Sequence, residues 1–101
     1  MSDSRSLSYV YDSGADVLYL HSRQSVAVRG VEDSAGLVWR YGHDGTVIGM
    51  TAVDFRDGWL DKKAQLVDEI SSHFSVSIEQ ATDAVDRAAS DATGEPIGER
   101  N

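Results

Sequence analysis

The chain has 101 residues, 41% of them hydrophobic and 26% charged, and its 9 Lys and Arg residues against 17 Asp and Glu residues give a formal net charge of −8. This length allows one small domain with a single core, and the absence of cysteine excludes disulfides, thiolate zinc sites and cysteine nucleophiles. The acidic balance argues against nucleic acid, whose binding depends on Lys and Arg, and makes a basic protein partner electrostatically reasonable.

The N-terminal residues contain no apolar segment of the length that a signal peptide needs. No stretch of the chain approaches the ~20 apolar residues that cross a bilayer. We therefore expect a protein that is neither exported nor inserted into a membrane. A chain without cysteine also suits a reducing compartment, so the expected location is cytoplasmic.

The region up to Trp59 has the composition of short strands separated by turns. Seven of the nine glycines lie in it, among runs rich in Val, Tyr and Leu. The pattern predicts five strands, approximately at Leu7–Tyr11, Val17–His21, Val26–Val31, Leu37–Tyr41 and Val47–Val53. The connections are too short for parallel crossovers, so we expect an antiparallel meander.

Turn residues punctuate these strands at Asp12–Asp16, Glu32–Gly36 and Gly42–Gly45. In the first turn Gly14 is the residue expected to take a positive φ. The Asp44-Gly45 pair of the third turn is typical of a tight hairpin and predicts a positive φ at Gly45. Replacing Gly45 by Val is then expected to cost about 1 kcal/mol or more through backbone strain.

The fifth strand is apolar on both faces, with Val47 and Val53 on one side and Ile48, Met50 and Ala52 on the other. Such a pattern predicts a central strand, or a strand covered by a helix or a second subunit. Gly49 inside this strand predicts a bulge, or the close approach of a neighbouring backbone or aromatic ring.

After Trp59 the apolar period lengthens to that of a helix. A stripe of Leu60, Ala64, Val67, Ile70 and Phe74 predicts a helix over Asp61–His73, with Asp61 as its N-cap or first-turn acid.

Ser77 and Gln80 have the spacing of a capping box, which predicts a second helix from Ser77 to about Ala89. The chain then divides into a β-meander region (1–59), a helical extension of the same domain (60–90) and a mobile tail (91–101). The predicted fold class is α+β, with two C-terminal helices packed on an antiparallel sheet of about five strands.

Two segments of the sheet region carry a family resemblance. They are Tyr11-Asp12-Ser13-Gly14-Ala15-Asp16-Val17-Leu18-Tyr19-Leu20 and Asp44-Gly45-Thr46-Val47-Ile48-Gly49-Met50. Together they resemble the prokaryotic family called domain of unknown function 2283, which has a Tyr-Asp turn, an Asp-x-Leu-Tyr strand start and an Asp-Gly turn before an apolar-Gly-apolar strand. The resemblance covers about half the chain and lies outside the two helices.

The resemblance implies a small β-rich fold and no established activity. Some relatives are reported beside small toxin-like proteins, which suggests an antitoxin-like or regulatory partner-binding role. The chain departs from the family at Thr51, Arg40 and Gly42, where members commonly have acidic residues. An acidic site at those positions is therefore not expected here.

The candidate binding residues lie in the two segments that carry the resemblance. They are Tyr11, Asp12, Asp16, Tyr19, Asp44, Gly45 and Gly49. A hairpin sheet could bring Asp12, Asp16 and Asp44 to one edge together with His43, and oxygen ligands at turns can bind Ca²⁺ or Mg²⁺. Asp at a turn is also explained locally, because its side chain accepts hydrogen bonds from nearby N–H groups, and we favour this structural interpretation.

Other catalytic patterns are weak. His21, His43 and His73 have no paired metal-ligand spacing, and no nucleophile-elbow motif is present, so we predict no catalytic residue, resident metal or cofactor. The preferred function is a non-enzymatic protein-interaction module. The alternative is a small metal-dependent hydrolase that uses the turn carboxylates.

Apolar surface also predicts an assembly. The fifth strand and the first helix together offer more apolar surface than one face of one small sheet absorbs, which predicts a two-fold homodimer. Met50, Trp39 or Leu66 is expected in its interface. The alternative is a monomer in which the two helices cover that surface.

Overall fold

The computed structural model describes residues 7–22 and 26–94, which form a five-stranded antiparallel sheet with two helices on one face. The strands are β1 (Ser8–Asp12), β2 (Val17–His21), β3 (Arg29–Glu32), β4 (Val38–Tyr41) and β5 (Val47–Val53), and the helices are α1 (Lys63–Phe74) and α2 (Ile78–Thr93). The predicted α+β class is confirmed.

The bounds of β2 and β5 are those predicted, while β1 and β4 each begin one residue later. The third strand differs most, because it begins at Arg29 rather than Val26. The N–H of Val28 donates to the carbonyl of Tyr41 (2.9 Å), the residue that Arg29 faces in the ladder. Val28 and Arg29 thus both lie opposite Tyr41, as in a β-bulge, and the regular ladder between β3 and β4 starts only after this irregularity.

The strand order is β1-β2-β5-β4-β3, which differs from the sequential order of the predicted meander. In a meander β3 would pair with β2, but β5 occupies that place. The reason lies in the strands themselves: β5 is long and apolar on both faces, whereas all four residues of β3 are exposed. A central position buries the first and an edge position suits the second.

β5 is therefore the central strand, as its two-sided apolar pattern predicted. Its register on β4 shifts by one residue, so that Ile48 has no partner on β4. This β-bulge lies next to Gly49 and confirms that part of the prediction. A Cβ atom at Gly49 would lie 3.5 Å from the carbonyl oxygen of Leu20, an ordinary contact, so the bulge rather than crowding marks this position.

The core lies between the helices and the face of the sheet that they cover. The sheet contributes Leu18, Leu20, Trp39, Met50 and Ala52, and the helices contribute Leu66, Val67, Ile70, Phe74, Ala81, Ala84, Val85, Ala88 and Ala92. The small residues of α2 let its backbone approach α1 and the sheet closely. Polar contacts reinforce this layer: the Tyr9 hydroxyl donates to Asp91 of α2 (2.9 Å), and Lys63 of α1 pairs with Asp86.

The apolar stripe of α1 differs from the predicted one at two positions. Leu66 is fully buried, although it was placed off the stripe, and Ala64 is exposed. A 3₁₀ turn over Leu60–Lys62 precedes α1, so the residues before and after Lys63 do not share one helical phase. Asp61 lies in that turn and is not the N-cap of α1, which is Lys62 without a side-chain cap.

The capping box of α2 is confirmed. The Ser77 hydroxyl accepts from the N–H of Gln80 (3.0 Å), and the Gln80 side chain accepts from the N–H of Ser77 (3.3 Å). The helix runs four residues past the predicted end, to Thr93, and Gly94 ends it with a φ of 71°. The boundary predicted at residue 90 thus lies inside α2, and residues 95–101 of the expected tail lie outside the described residues.

A π-helical turn, Phe55–Trp59, joins β5 to the helical layer and was not predicted. Phe55 and Trp59 are both buried, and the ring of Tyr11 lies against Phe55 with 5.8 Å between centroids. Asp54 precedes this turn with a φ of 59°, so the chain reverses sharply as it leaves the sheet. This segment brings the helices under the end of the sheet where β5 finishes.

Candidate interaction surface

The turn between β1 and β2 is built around the buried carboxylate of Asp16. Its Oδ1 atom accepts hydrogen bonds from the Tyr11 hydroxyl (2.6 Å) and the N–H of Arg56 (2.8 Å). Its Oδ2 atom accepts from the N–H of Asp57 (3.2 Å), and its backbone carbonyl accepts from the N–H of Phe55 (3.0 Å). Asp16 thus fastens this turn to the π-helical turn 40 residues later.

The backbone of the same turn differs from the expected one. Asp16, and not Gly14, takes the positive φ (58°). Asp residues enter the left-handed region more readily than most residues do, and the bonds of Asp16 to the π-helical turn stabilise it there. Asp12 has a local role, because its Oδ1 atom accepts from the N–H groups of Gly14 (3.0 Å) and Ala15 (3.2 Å).

The protonation states of the Tyr11 and Asp16 pair suit a structural role. Burial raises the pKa of the Asp16 carboxyl, but the hydrogen bonds from Tyr11, Arg56 and Asp57 outweigh it, so this pKa lies below its ordinary value. Burial, together with the hydrogen bond to Asp16, raises the pKa of Tyr11 to about 12. At neutral pH Asp16 is ionised and Tyr11 neutral, and neither has the pKa near 7 that suits a general acid or base.

The turn between β4 and β5 is closed by local bonds. The N–H of Gly45 donates to the Gly42 carbonyl (3.1 Å), and the N–H of Gly42 donates to the Thr46 carbonyl (2.9 Å). The Oδ1 atom of Asp44 accepts from the N–H (3.1 Å) and the hydroxyl (2.7 Å) of Thr46. Gly45 has a φ of 82°, which confirms the predicted hairpin conformation.

The two acidic turns lie at opposite ends of the sheet. Val17, which follows the first turn, pairs with Val53 at the C-terminal end of β5, whereas the second turn leads into the N-terminal end of β5. Seven extended residues separate them, about 20 Å. The structure therefore does not bring Asp12 and Asp16 to the Asp44 turn.

This separation removes the geometric basis of the hydrolase alternative, which needed both turns at one edge. Within residues 7–22 and 26–94, no group of three His, Asp or Glu side chains is placed to hold a metal ion. Tyr11 and Asp16 are the candidate residues that the structure brings together, and they join parts of the fold.

The residues expected in a dimer interface are in the core of the single chain. Met50 and Leu66 are fully buried between the sheet and the helices, and Trp39 is buried with them. The ring of His73 stacks on Trp39 at 3.7 Å, and the Trp39 Nε1 atom donates to Asp33 (2.9 Å). These residues face the helices of their own chain, so the prediction that they lie in a dimer interface is wrong.

Among the described residues, no helix lies on the face of the sheet opposite α1 and α2, here called the outer face, although Val17 and Thr51 on this face are buried. Tyr19 points to it because its neighbours Leu18 and Leu20 point into the core. On this face Val10 lies opposite Tyr19, and Val17 lies opposite Val53. Val10, Val53 and Tyr19 are 55%, 49% and 38% exposed. The outer face therefore carries a patch of adjacent apolar side chains over three neighbouring strands.

The outer face also carries few charged side chains. Arg40 lies on it and donates from Nη1 to the Thr51 hydroxyl (2.5 Å), while Asp12 and Glu32 lie at its margins on β1 and β3. These residues give a formal charge of −1 to this face, against −8 for the chain. The exposed side of α2, by contrast, carries Glu79, Asp83, Asp86 and Asp91 against Arg87.

The sequence indicated part of this surface but not its extent. Tyr19 was a candidate residue, and strand alternation in β1 points Val10 away from Tyr9 and Tyr11. What could not be read from the sequence is that β2 lies beside β5, which places Val53 next to this pair. Candidate residues Asp44 and Gly45 lie in the distant turn and do not contribute.

Comparison with known proteins adds no relative: no family model matches the chain, and neither a curated protein nor a solved structure matches it. The resemblance to the domain of unknown function 2283 therefore stays a prediction. Within the residues that the structure describes, neither α1 nor α2 has the length and apolar character of a membrane-spanning helix.

Proposed function

We propose that the protein is a non-enzymatic interaction module that works as a two-fold homodimer, in which the outer faces of two sheets pack on each other. The observation that carries this proposal is the apolar patch of Val10, Tyr19 and Val53 on the outer face of the sheet. Adjacent exposed apolar side chains on a sheet are suited to burial against a partner, and two sheets pack face to face about 10 Å apart through side chains of this kind.

Charge supports a second copy as the occupant of the outer face. Two chains that each carry −8 repel each other over most of their surfaces, but the outer face has a formal charge of only −1. Contact through this face keeps the acidic helices apart. The outer face is also suited to contact with a second copy of itself, because two-fold symmetry sets an apolar patch with few charges against an identical patch.

The non-enzymatic part of the proposal is supported by how the candidate residues are used. Asp16 and Tyr11 hold the sheet to the π-helical turn, and Asp12 stabilises its own turn. Asp44 does the same at the other end of the sheet. These carboxylates act in folding, and they do not converge on a common point where a substrate or metal ion could bind.

Light scattering coupled to size exclusion at micromolar concentration tests the homodimer. The expected mass is twice the chain mass of 11.0 kDa. Val10→Glu is expected to give a monomer, because it sets charges of the same sign against each other across the interface. Ile78→Glu is the matched control, since Ile78 is 50% exposed on α2 and lies away from the sheet face.

A wild-type mass near 11.0 kDa would contradict the homodimer, as would a dimer that survives Val10→Glu unchanged. A thermal-shift screen with Mg²⁺, Ca²⁺, Mn²⁺ and Zn²⁺ tests the non-enzymatic part separately. An ion at a hundred times its dissociation constant would stabilise the fold by roughly 2.7 kcal/mol. Stabilisation of that size by any of the four ions would favour the metal-dependent alternative.

The proposed location of the module is the cytoplasm, where a cysteine-free chain loses nothing in a reducing environment. Cell fractionation with an antibody against the native protein tests this. Recovery in a membrane or extracellular fraction would contradict it.

A further inference from the structure

We infer that the free edge of β3 is a second interaction site, which accepts an extended strand from a basic protein segment. The inference rests on the proposed role as an interaction module, but not on the homodimer, because the edge and the outer face are different surfaces. Strand addition at a sheet edge is an established mode of peptide recognition, in which main-chain hydrogen bonds supply affinity and side chains supply specificity.

The alternation of hydrogen bonds along β3 shows which of its backbone N–H and C=O groups are available to a further strand. The N–H of Asp33 donates to the Leu37 carbonyl (2.9 Å), in line with the register that pairs Val31 with Trp39. In an antiparallel ladder alternate residues bond the same neighbour, so Val31 also points its N–H and C=O at β4. The backbone groups of Gly30 and Glu32 then point away from β4, and no described strand lies on that side.

Few features protect this edge. All four residues of β3 are exposed, and Val26 and Val28 just before it are exposed apolar side chains. Natural sheets usually shield such edges with Lys, Pro or a covering loop. β3 has no Lys and no Pro.

Charge selects the kind of strand. Glu32 and Asp33 lie at one end of β3, and Arg29 lies at the other end, where it faces Tyr41. The guanidinium of Arg29 lies 4.5 Å from the centre of the Tyr41 ring, so the positive group at this edge is directed to an aromatic ring. The whole chain carries a formal charge of −8, and Glu32 is the charged side chain of β3 on the outer face, which favours a basic strand over a second copy of this acidic chain.

The register also indicates the pattern of the partner. Glu32 is on the outer face, so a strand residue beside it that is Lys or Arg would form an ion pair. Val31 is on the helix side, where its side chain is 40% exposed and would contact an apolar residue of the partner. A segment that alternates basic and apolar residues over about six positions fits both requirements.

The test uses the full chain, labelled with ¹⁵N, and two synthetic peptides, acetyl-Lys-Val-Lys-Val-Lys-Val-amide and its Glu-Val counterpart. We expect the Lys-Val peptide to bind and to slow amide hydrogen exchange at Gly30 and Glu32, while Val31 is protected with or without it. The Glu-Val peptide is expected to bind at least about tenfold more weakly.

Gly30→Pro removes one outward N–H and leaves the bonds to β4 in place, since proline is tolerated where a strand N–H faces solvent. We expect it to weaken binding of the Lys-Val peptide by up to about tenfold, through the loss of one hydrogen bond. Gly30→Ala keeps the N–H and is the matched control, with binding expected within about threefold of wild type. Glu32→Lys is expected to reverse the preference between the two peptides.

The inference is overturned if both peptides bind equally, if Gly30→Pro binds as well as Gly30→Ala, or if the perturbed amides are those of Val10 and Tyr19. It is also overturned if Gly30→Pro alone lowers the mass of the free protein, which would make a second copy the occupant. The monomeric Val10→Glu variant separates this inference from the proposed function, because it should still bind the Lys-Val peptide at the edge of β3.

Discussion

The turn between β1 and β2 and the turn between β4 and β5 contain the same kinds of residue but are held in different ways. The first depends on Asp16, which bonds groups of Arg56 and Asp57 in the helical layer. The second is closed by Asp44 and Gly45 within its own five residues. An Asp in a turn can therefore be a long-range anchor or a local cap, and residue type alone does not distinguish the two.

The way each turn is held also determines how much it contributes to the stability of the fold. The first turn fixes where the helical layer meets the sheet, so its bonds stabilise the whole fold. The second turn fixes only the hairpin that supplies β4 and β5 with their register. Changes in the first turn should therefore have larger effects on the free energy of unfolding than similar changes in the second.

The largest effect is expected for Asp16→Ala. It leaves the Tyr11 hydroxyl and two backbone N–H groups without their buried acceptor, and it places Ala at a positive φ. Each unsatisfied buried donor costs about 1–3 kcal/mol, so we expect a loss of at least about 3 kcal/mol in the free energy of unfolding. Urea unfolding monitored by Trp fluorescence measures it.

Asp12→Ala in the same turn is the control for this prediction. Asp12 is exposed and accepts only local bonds, so its loss is expected to cost about 1 kcal/mol or less. Equal losses for the two variants would show that Asp16 acts locally, like Asp12.

A smaller effect on the free energy of unfolding is expected when the pH is lowered. The pKa of Asp16 is lowered by folding, so its ionised form adds stability above the unfolded-state pKa of about 3.9, and this stability is lost as the pH falls through the folded-state value. Asn at this position does not titrate. We expect the stability difference between wild type and Asp16→Asn, measured by urea unfolding, to shrink between pH 7 and pH 3. A constant difference would contradict the role of the charge.

The glycines of the two turns should respond to alanine with opposite signs. Gly45→Ala places a side chain at a φ of 82° and is expected to cost about 1 kcal/mol, with Gly45→Val costing somewhat more. Gly14 has no positive φ, and a Cβ there would meet only an ordinary contact, so Gly14→Ala is expected to be neutral or stabilising by about 0.5 kcal/mol. Thermal unfolding of both variants checks the signs.

The smallest effect is expected for Asp44→Ala. It removes the two bonds from Thr46 at an exposed turn, where water replaces the lost acceptor, so about 0.5–1 kcal/mol is expected. Urea unfolding beside Asp16→Ala makes the comparison direct. A loss as large as that of Asp16→Ala would mean that the second turn also anchors distant parts of the chain.

The features predicted correctly from the sequence are those with local causes. The capping box of Ser77 and Gln80 and the positive φ of Gly45 depend on a few neighbouring residues. The central position of β5 also follows from its own composition, because a strand that is apolar on both faces needs cover on both. The end of α2 was missed, since its last turns contain Ser90 and Asp91, which are typical of loops.

The features of the candidate site, by contrast, depend on contacts between distant parts of the chain. The alternative cluster of turn carboxylates required both turns at one end of the sheet, but the alternating strand directions place the turn after β1 and the turn after β4 at opposite ends. The patch on the outer face depends in the same way on β2 lying beside β5. Leu66 was assigned to an interface because it lies off the predicted stripe, but the buried side of α1 is wider than that stripe and includes Leu66 beside Ile70.

By itself the sequence determined the α+β class, the antiparallel sheet, the two helices and the conformation of the Asp44-Gly45 turn, because periodicity and turn chemistry act over a few residues. Only the tertiary structure decided the strand order, the anchoring role of Asp16 and the surface left uncovered. These depend on contacts between residues about 40 positions apart, as between Asp16 and Arg56, for which no local pattern exists. Which face of the sheet the helices cover was settled by packing, and with it the surface that remains for a partner.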